Sequence, residues 1–115
     1  MTNLQTETIK HIADVVAERK THVLCVQIID DYYASPTQGK VYQYDHSDED
    51  QHWIDFLNTI DLNYDSGYGT QHYLGKIWYA DGTWSTRSEY DGSEWWTHNA
   101  CPPLPNPLPK TQPTN

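Results

Sequence analysis

Cysteine is scarce in this chain. Cys25 and Cys101 are the only two in 115 residues, too few for a disulfide framework and at no metal-ligand spacing. Met and Phe occur once each, and seven basic residues face sixteen acidic ones, a formal net charge of −9. So few Lys and Arg argue against direct binding to nucleic acid or to an anionic membrane, because contact with phosphate depends on those side chains. A macromolecular partner should instead present a basic surface. No apolar run approaches the roughly 18 residues of a membrane span, and the N-terminus lacks the basic and apolar regions of a secretory signal. The chain reads as cytoplasmic, and in a reducing compartment a Cys25–Cys101 bridge is not expected. Also missing are a glycine-rich phosphate loop, a G-x-S-x-G elbow and a Cys in activating surroundings.

What is present is aromatic. Five Trp and nine Tyr carry the apolar mass of a chain that is only 37% hydrophobic, which favours sheets and interfaces over a helical bundle. Residues 71–101, QHYLGKIWYADGTWSTRSEYDGSEWWTHNAC, hold four of the five Trp and both Asp-Gly dipeptides. Asp-Gly between aromatic and β-branched runs predicts type I′ turns at Asp81-Gly82 and Asp91-Gly92, joining strands at residues 72–80, 83–90 and 93–98. Alternation puts Trp84, Thr86, Ser88 and Tyr90 on one side and Thr83, Ser85, Arg87 and Glu89 on the other, and the first set is expected to face inward. Trp95 and Trp96 are adjacent, so they point to opposite faces. One at most enters a core on one side; the other is covered by a helix or by the tail, or anchors a partner.

Upstream, Ile9, Ile12, Ala13 and Val16 fall at helical spacing and predict an amphipathic helix over residues 6–19, capped by Thr6 or Thr2. Residues 23–29 are apolar on both alternations apart from Gln27, as in a strand covered on both faces, with Cys25 a buried thiol. Ser35-Pro36-Thr37-Gln38-Gly39 is turn chemistry, and Val41-Tyr42-Gln43-Tyr44 returns as a second strand. Trp53, Phe56, Leu57 and Ile60 predict a short helix, with Ser47 and Asp50 in a capping arrangement and Asp48, Glu49 and Asp50 at its N-terminus. Residues 61–70 read as a glycine-punctuated loop. The fold class is therefore α+β: one domain over residues 1–101, with the N-terminal helix packed on a mainly antiparallel sheet of about five strands that ends in a three-stranded meander. Residues 102–115 contain six of the seven prolines and read as an extended tail.

The chemical motifs are incomplete. Asp61, Asn63 and Asp65 match the first three ligand positions of a calcium loop, but Ser66 stands where Gly is needed and His72 where a bidentate Glu is needed. Asx-turn chemistry explains the same residues. His46 and His52, with acidic residues between them, do not form a compact set of three or four ligands. Carboxylate pairs are so abundant in an acidic chain that they single out no acid or base. The expectation is a non-enzymatic binding protein without metal or cofactor.

The segment KIWYADGTWSTRSEYDGSEWW, in a small acidic chain, resembles parts of the accessory proteins of phages and mobile elements, among them anti-CRISPR and anti-restriction inhibitors. Those inhibitors share no common motif, so no residue role is carried over. The resemblance implies a stoichiometric inhibitor that occupies a basic nucleic-acid-binding surface of a host defence complex. Candidate contact residues are Asp30, Asp31, Asp45, Asp48, Glu49, Asp50, Asp61 and Asp65, with Trp95 and Trp96. Carboxylates can take the place of phosphates against Lys and Arg, and an indole can stack on a guanidinium. The acidic residues share one rim if the hairpins align. The alternative from another class is a small-molecule or carbohydrate-binding module, with Trp and Tyr as stacking platforms and Asp or Asn holding hydroxyls.

Overall fold

The computed structural model describes residues 2–46, 50–65, 71–90 and 92–101. Helix α1 (Leu4–Arg19) begins one residue after the short strand β1 (Thr2–Asn3). Its N-cap is Asn3, not Thr2 or Thr6: Asn3 is extended (φ −104, ψ 121) and its side-chain oxygen accepts from the Thr6 N–H at 2.9 Å. The helix stops where Lys20 turns left-handed at φ 53. Its buried stripe is Leu4, Thr8, Ile12 and Val15, so the expected face is rotated. Ile9 is 42% exposed. The rotation follows from Thr8, a polar residue that joins the core because its Oγ1 accepts from the Trp96 Nε1–H at 3.0 Å.

Strands β2 (Val23–Asp30), β3 (Val41–Asp45), β5 (Tyr73–Tyr79), β6 (Trp84–Tyr90) and β7 (Ser93–Asn99) form one antiparallel sheet in the order β3-β2-β5-β6-β7. Helix α2 (Asp50–Thr59) connects β3 to a second short strand, β4 (Asn63–Tyr64), which pairs with β1 in a region read from sequence as loop. Local polar chemistry holds that ribbon. Asn3 Nδ2 donates to Asp61 Oδ1 at 2.8 Å and to Asn63 Oδ1 at 2.9 Å, and the Leu4 N–H donates to the Leu62 carbonyl at 2.8 Å. The expected capping of α2 by Ser47 lies outside the described residues. Its apolar stripe is as the spacing predicts, with Phe56 and Ile60 buried and Trp53 and Leu57 packed against the core.

Both helices cover the same face of the sheet, α1 against β7 and α2 against β3. The core between them includes Ile12, Val26, Ile28, Phe56, Ile77, Tyr79 and Trp96. Strand β2 is therefore covered on one face only: Val26 and Ile28 are buried, whereas Leu24 and Gln27 are exposed. Cys25 lies half-buried on the open side, its thiol pushed up by burial and by Asp45.

The inward set on β6 is the reverse of the sequence expectation. Thr83, Ser85 and Arg87 are buried, while Trp84, Thr86, Ser88 and Tyr90 look the other way, Tyr90 being 77% exposed. The cause is the turn. A type I′ turn on Asp81-Gly82 would pair Tyr79 with Trp84, but Asp81 does not adopt positive φ, and the loop contains three residues. The Gly82 N–H donates to the Tyr79 carbonyl at 3.1 Å and the Tyr79 N–H to the Thr83 carbonyl at 3.0 Å, the pattern of a type I turn closed by a left-handed glycine. That single extra residue pairs Trp78 with Trp84 and moves every β6 side chain to the opposite face. Gly82 holds φ at 86, so Gly82→Val should lower stability by about 1 kcal/mol or more. An unchanged thermal midpoint would argue against this turn's part in setting register.

Candidate binding face

With the helices on one side, the other side of the sheet is open, and the register defines it. Asp45, Cys25, Trp78, Trp84 and Asn99 form one row across all five strands. Gln43, Gln27, Lys76, Thr86 and Thr97 form the next. Beyond them Val41, Ile29 and Leu74 continue the face, with Trp95 opposite Ser88 on the outer two strands. Val41, Leu74 and Trp95 are 47%, 39% and 42% exposed, so this end is apolar and wet. At the other end the Lys76 ammonium stands 5.3 Å from the Trp78 ring and 5.7 Å from that of Trp84. Trp78, Trp84, Leu24 and Lys76 line a groove of about 370 Å³ there.

Beneath the sheet lies a charged cluster that sequence reading missed. Arg87 NH2 donates to Glu94 Oε1 and to the Tyr64 hydroxyl, both at 2.9 Å, and NH1 lies 3.1 Å from Glu7 Oε1 as an ion pair. Tyr64 donates its hydroxyl proton to Glu7 at 2.6 Å, and the Arg87 guanidinium sits 5.1 Å from the Trp96 ring. Glu94 also accepts from the backbone N–H groups of His72 and Tyr73, at 2.7 and 3.1 Å. Burial works against the Arg87 charge, but Glu7, Tyr64 and Glu94 outweigh it and hold the group protonated. Burial and the bond to Glu7 push the Tyr64 hydroxyl up, and burial with Asp30 pushes Tyr73 up to about 12. This cluster ties α1, β4, β5, β6 and β7 together. Arg87 and Glu94 expose 1% and 0% of their side chains, which makes it a fastening and not a site open to a ligand.

A Ser–His contact is the closest approach to catalytic chemistry. His11 Nε2 is 2.7 Å from Ser85 Oγ, which is 2.8 Å from the Tyr79 hydroxyl. Burial and the neighbouring His98 hold His11 below its ordinary value. Ser85, however, is completely buried, so no substrate carbon reaches its oxygen. The trio bridges helix to sheet.

The candidate contact residues scatter. Asp30 is buried: its carboxylate accepts from Ser35 and Thr37 at 2.6 Å each and from the Tyr32 N–H at 3.1 Å, closing the β2–β3 loop. Burial alone would raise its pKa, but those hydrogen bonds win and hold it low. Trp96 is 6% exposed and belongs to the core, leaving Trp95 as the outward member of the pair. Asp31, Asp45, Asp61 and Asp65 are exposed. They do not form one rim. Asp31 follows the β2 end that pairs with Tyr73, whereas Asp45 lies at the opposite end of the sheet, beside Cys25. Asp65 falls with Asp30 and Tyr73 around one shallow pocket. Asp61 accepts from Asn3 beside β1 and β4. Asp50 is the first residue of α2, and Asp48 and Glu49 lie outside the described residues.

Among the described residues no group of three or more His, Cys, Asp and Glu is placed to hold a metal ion, and no helix is long and apolar enough to cross a membrane. The chain matches no protein-family model, no curated protein and no solved structure.

Proposed function

We propose that this protein works by binding a basic protein surface of the kind that normally carries nucleic acid, as the inhibitors of host defence complexes do. The observation that carries the reading is the open sheet face, which presents Val41, Leu74 and Trp95 to solvent in a chain of net charge −9. An exposed apolar patch with an aromatic anchor is the usual core of an interface, and surrounding charge of one sign steers the encounter. Several of the basic residues are held in contacts within the chain. Arg87 is buried, Arg19 is 2.7 Å from Asp81, and Lys40 lies over the Tyr42 ring.

Capture of bacterial proteins on the immobilised chain at low and at high salt tests this. Nucleic-acid-binding proteins should be retained at low salt and displaced by added DNA or RNA. With a captured partner in hand, Trp95→Ala should mainly speed dissociation, and neutralising Asp48, Glu49 and Asp50 together should slow association and flatten its salt dependence. Retention that ignores both salt and nucleic acid would overturn the proposal.

A further inference from the structure

We infer that Ser85 and the side chains of His11 and Tyr79 form a proton-matched latch, which fastens α1 to the sheet while His11 is neutral and loosens in acid. His11 Nε2 stands 2.7 Å from Ser85 Oγ, and that oxygen stands 2.8 Å from the Tyr79 hydroxyl. Neither hydroxyl makes another hydrogen bond among the described residues, and at 0% and 2% exposure Ser85 and Tyr79 are closed to solvent. The protons carried by these three groups must therefore serve two hydrogen bonds. One arrangement matches every buried donor: Tyr79 donates to Ser85, and Ser85 donates to His11 Nε2, which has to be bare. A proton on Nε2, in the other neutral tautomer or in the cation, makes three protons for two bonds. A buried hydroxyl is then left without an acceptor.

His98, close by on β7, is held in the opposite tautomer. Thr83 Oγ1 donates to Asp81 Oδ1 at 2.6 Å, and Arg19 and Thr83 together hold that carboxyl well below the usual carboxylate range, hence ionised. The Thr83 proton is thus committed, and His98 Nε2, 2.9 Å from the same hydroxyl oxygen, has to be the donor. A second proton on His98 goes to Nδ1 and leaves that bond intact. Acid sensitivity therefore falls on His11. Its ring lines a shallow pocket with Glu7, Lys10 and Asp14 of α1, so protons reach it from solvent. Burial opposes a charge on the ring, His98 on β7 and Arg87 on β6 add to that, and Asp14 works the other way. The balance holds His11 below its ordinary 6.5, so the folded chain takes up fewer protons than the unfolded one. Stability is complete above that pH and is lost as pH falls from it through the folded-state value. The inference goes beyond the partner-binding reading and does not rest on it, because it concerns the helix side of the sheet and is tested on the isolated chain.

The test reads the ring-nitrogen resonances of His11 and His98 in the full chain, assigned with His11→Gln and His98→Gln. Near neutral pH, His11 should carry its proton on Nδ1 and His98 on Nε2. As acid is added, the folding constant and the hydrogen-exchange protection of the α1 amides should fall, by up to about tenfold per pH unit, until the His11 ring is charged. His11→Gln should lose this part of the pH dependence, since its amide oxygen accepts from Ser85 and takes no charge. A protonated Nε2 on neutral His11 would overturn the proposal. So would the same acid course in the unmodified chain and in His11→Gln. Should that variant fold poorly, the unmodified chain decides alone: α1 protection that stays constant while its His11 ring becomes charged sinks the latch.

Discussion

Arg87→Met should cost about 3–5 kcal/mol, because it leaves two carboxylates near each other under the sheet without their cation. The stem of Met fills the space of the Arg stem, so the loss reads the charge and its hydrogen bonds more than a cavity. Glu94 is wholly buried and would lose its bond from Arg87 while keeping those from the His72 and Tyr73 N–H groups, and Glu7 would lose its ion pair while keeping the Tyr64 hydroxyl. Against a total stability of about 5–15 kcal/mol for a domain of this size, such a loss is a large fraction of the whole. Glu94→Gln removes the other charge, and the double variant should lose clearly less than the sum of the singles, since residues in one network couple by about 0.5–3 kcal/mol. Chemical denaturation of the four proteins measures the cycle. Additive losses, or a loss below about 1 kcal/mol for Arg87→Met, would show that the cluster does not fasten the fold.

Trp96→Ala should cost a further-reaching 3–5 kcal/mol or so, whereas Trp95→Ala, one residue away, should cost less than about 1 kcal/mol. Trp96 fills the space between α1 and the sheet, donates to Thr8 at 3.0 Å and lies over the Arg87 guanidinium. Gly75 makes room for the ring: a Cβ there would come within 2.9 Å of Trp96 Cη2 and 3.0 Å of the Gln27 carbonyl. Gly75→Ala should accordingly destabilise by about 1–3 kcal/mol through overpacking. Trp95 is 42% exposed on the open face and leaves no buried void when removed. Equal losses for the two Trp variants in a denaturant titration would contradict this division of roles.

Much of the architecture was legible in the chain. Asp81-Gly82 and Asp91-Gly92 marked the meander, and strands β5, β6 and β7 start and end within a residue or so of the expected positions. The spacing of Trp53, Phe56, Leu57 and Ile60 gave α2 its buried face, and the turn residues around Pro36 separated β2 from β3. The pairing of β2 with β5, which merges two hairpins into one five-stranded sheet, needed contacts about fifty residues apart and had no local signal. The β1–β4 ribbon was missed for the same reason, since two strands of two residues each, 60 residues apart at Asn3 and Asn63, carry no periodicity.

The candidate face was less legible because it depends on which side of the sheet the helices cover. Local chemistry, acting over a few residues, determined by itself the elements, the alternation along each strand, the opposite directions of Trp95 and Trp96, and the acidic charge. Alternation establishes two faces but does not rank them, and on β6 the apolar-looking set turned out to be the open one. Tertiary structure decided that ranking. The buried set of Thr83, Ser85 and Arg87 is polar, and it is stable inside only because His11, His98, Tyr64, Glu7 and Glu94 arrive from other parts of the chain to satisfy it. Pairing across such distances is invisible to hydropathy, which scores a residue as polar or apolar without knowing whether its partners will be there.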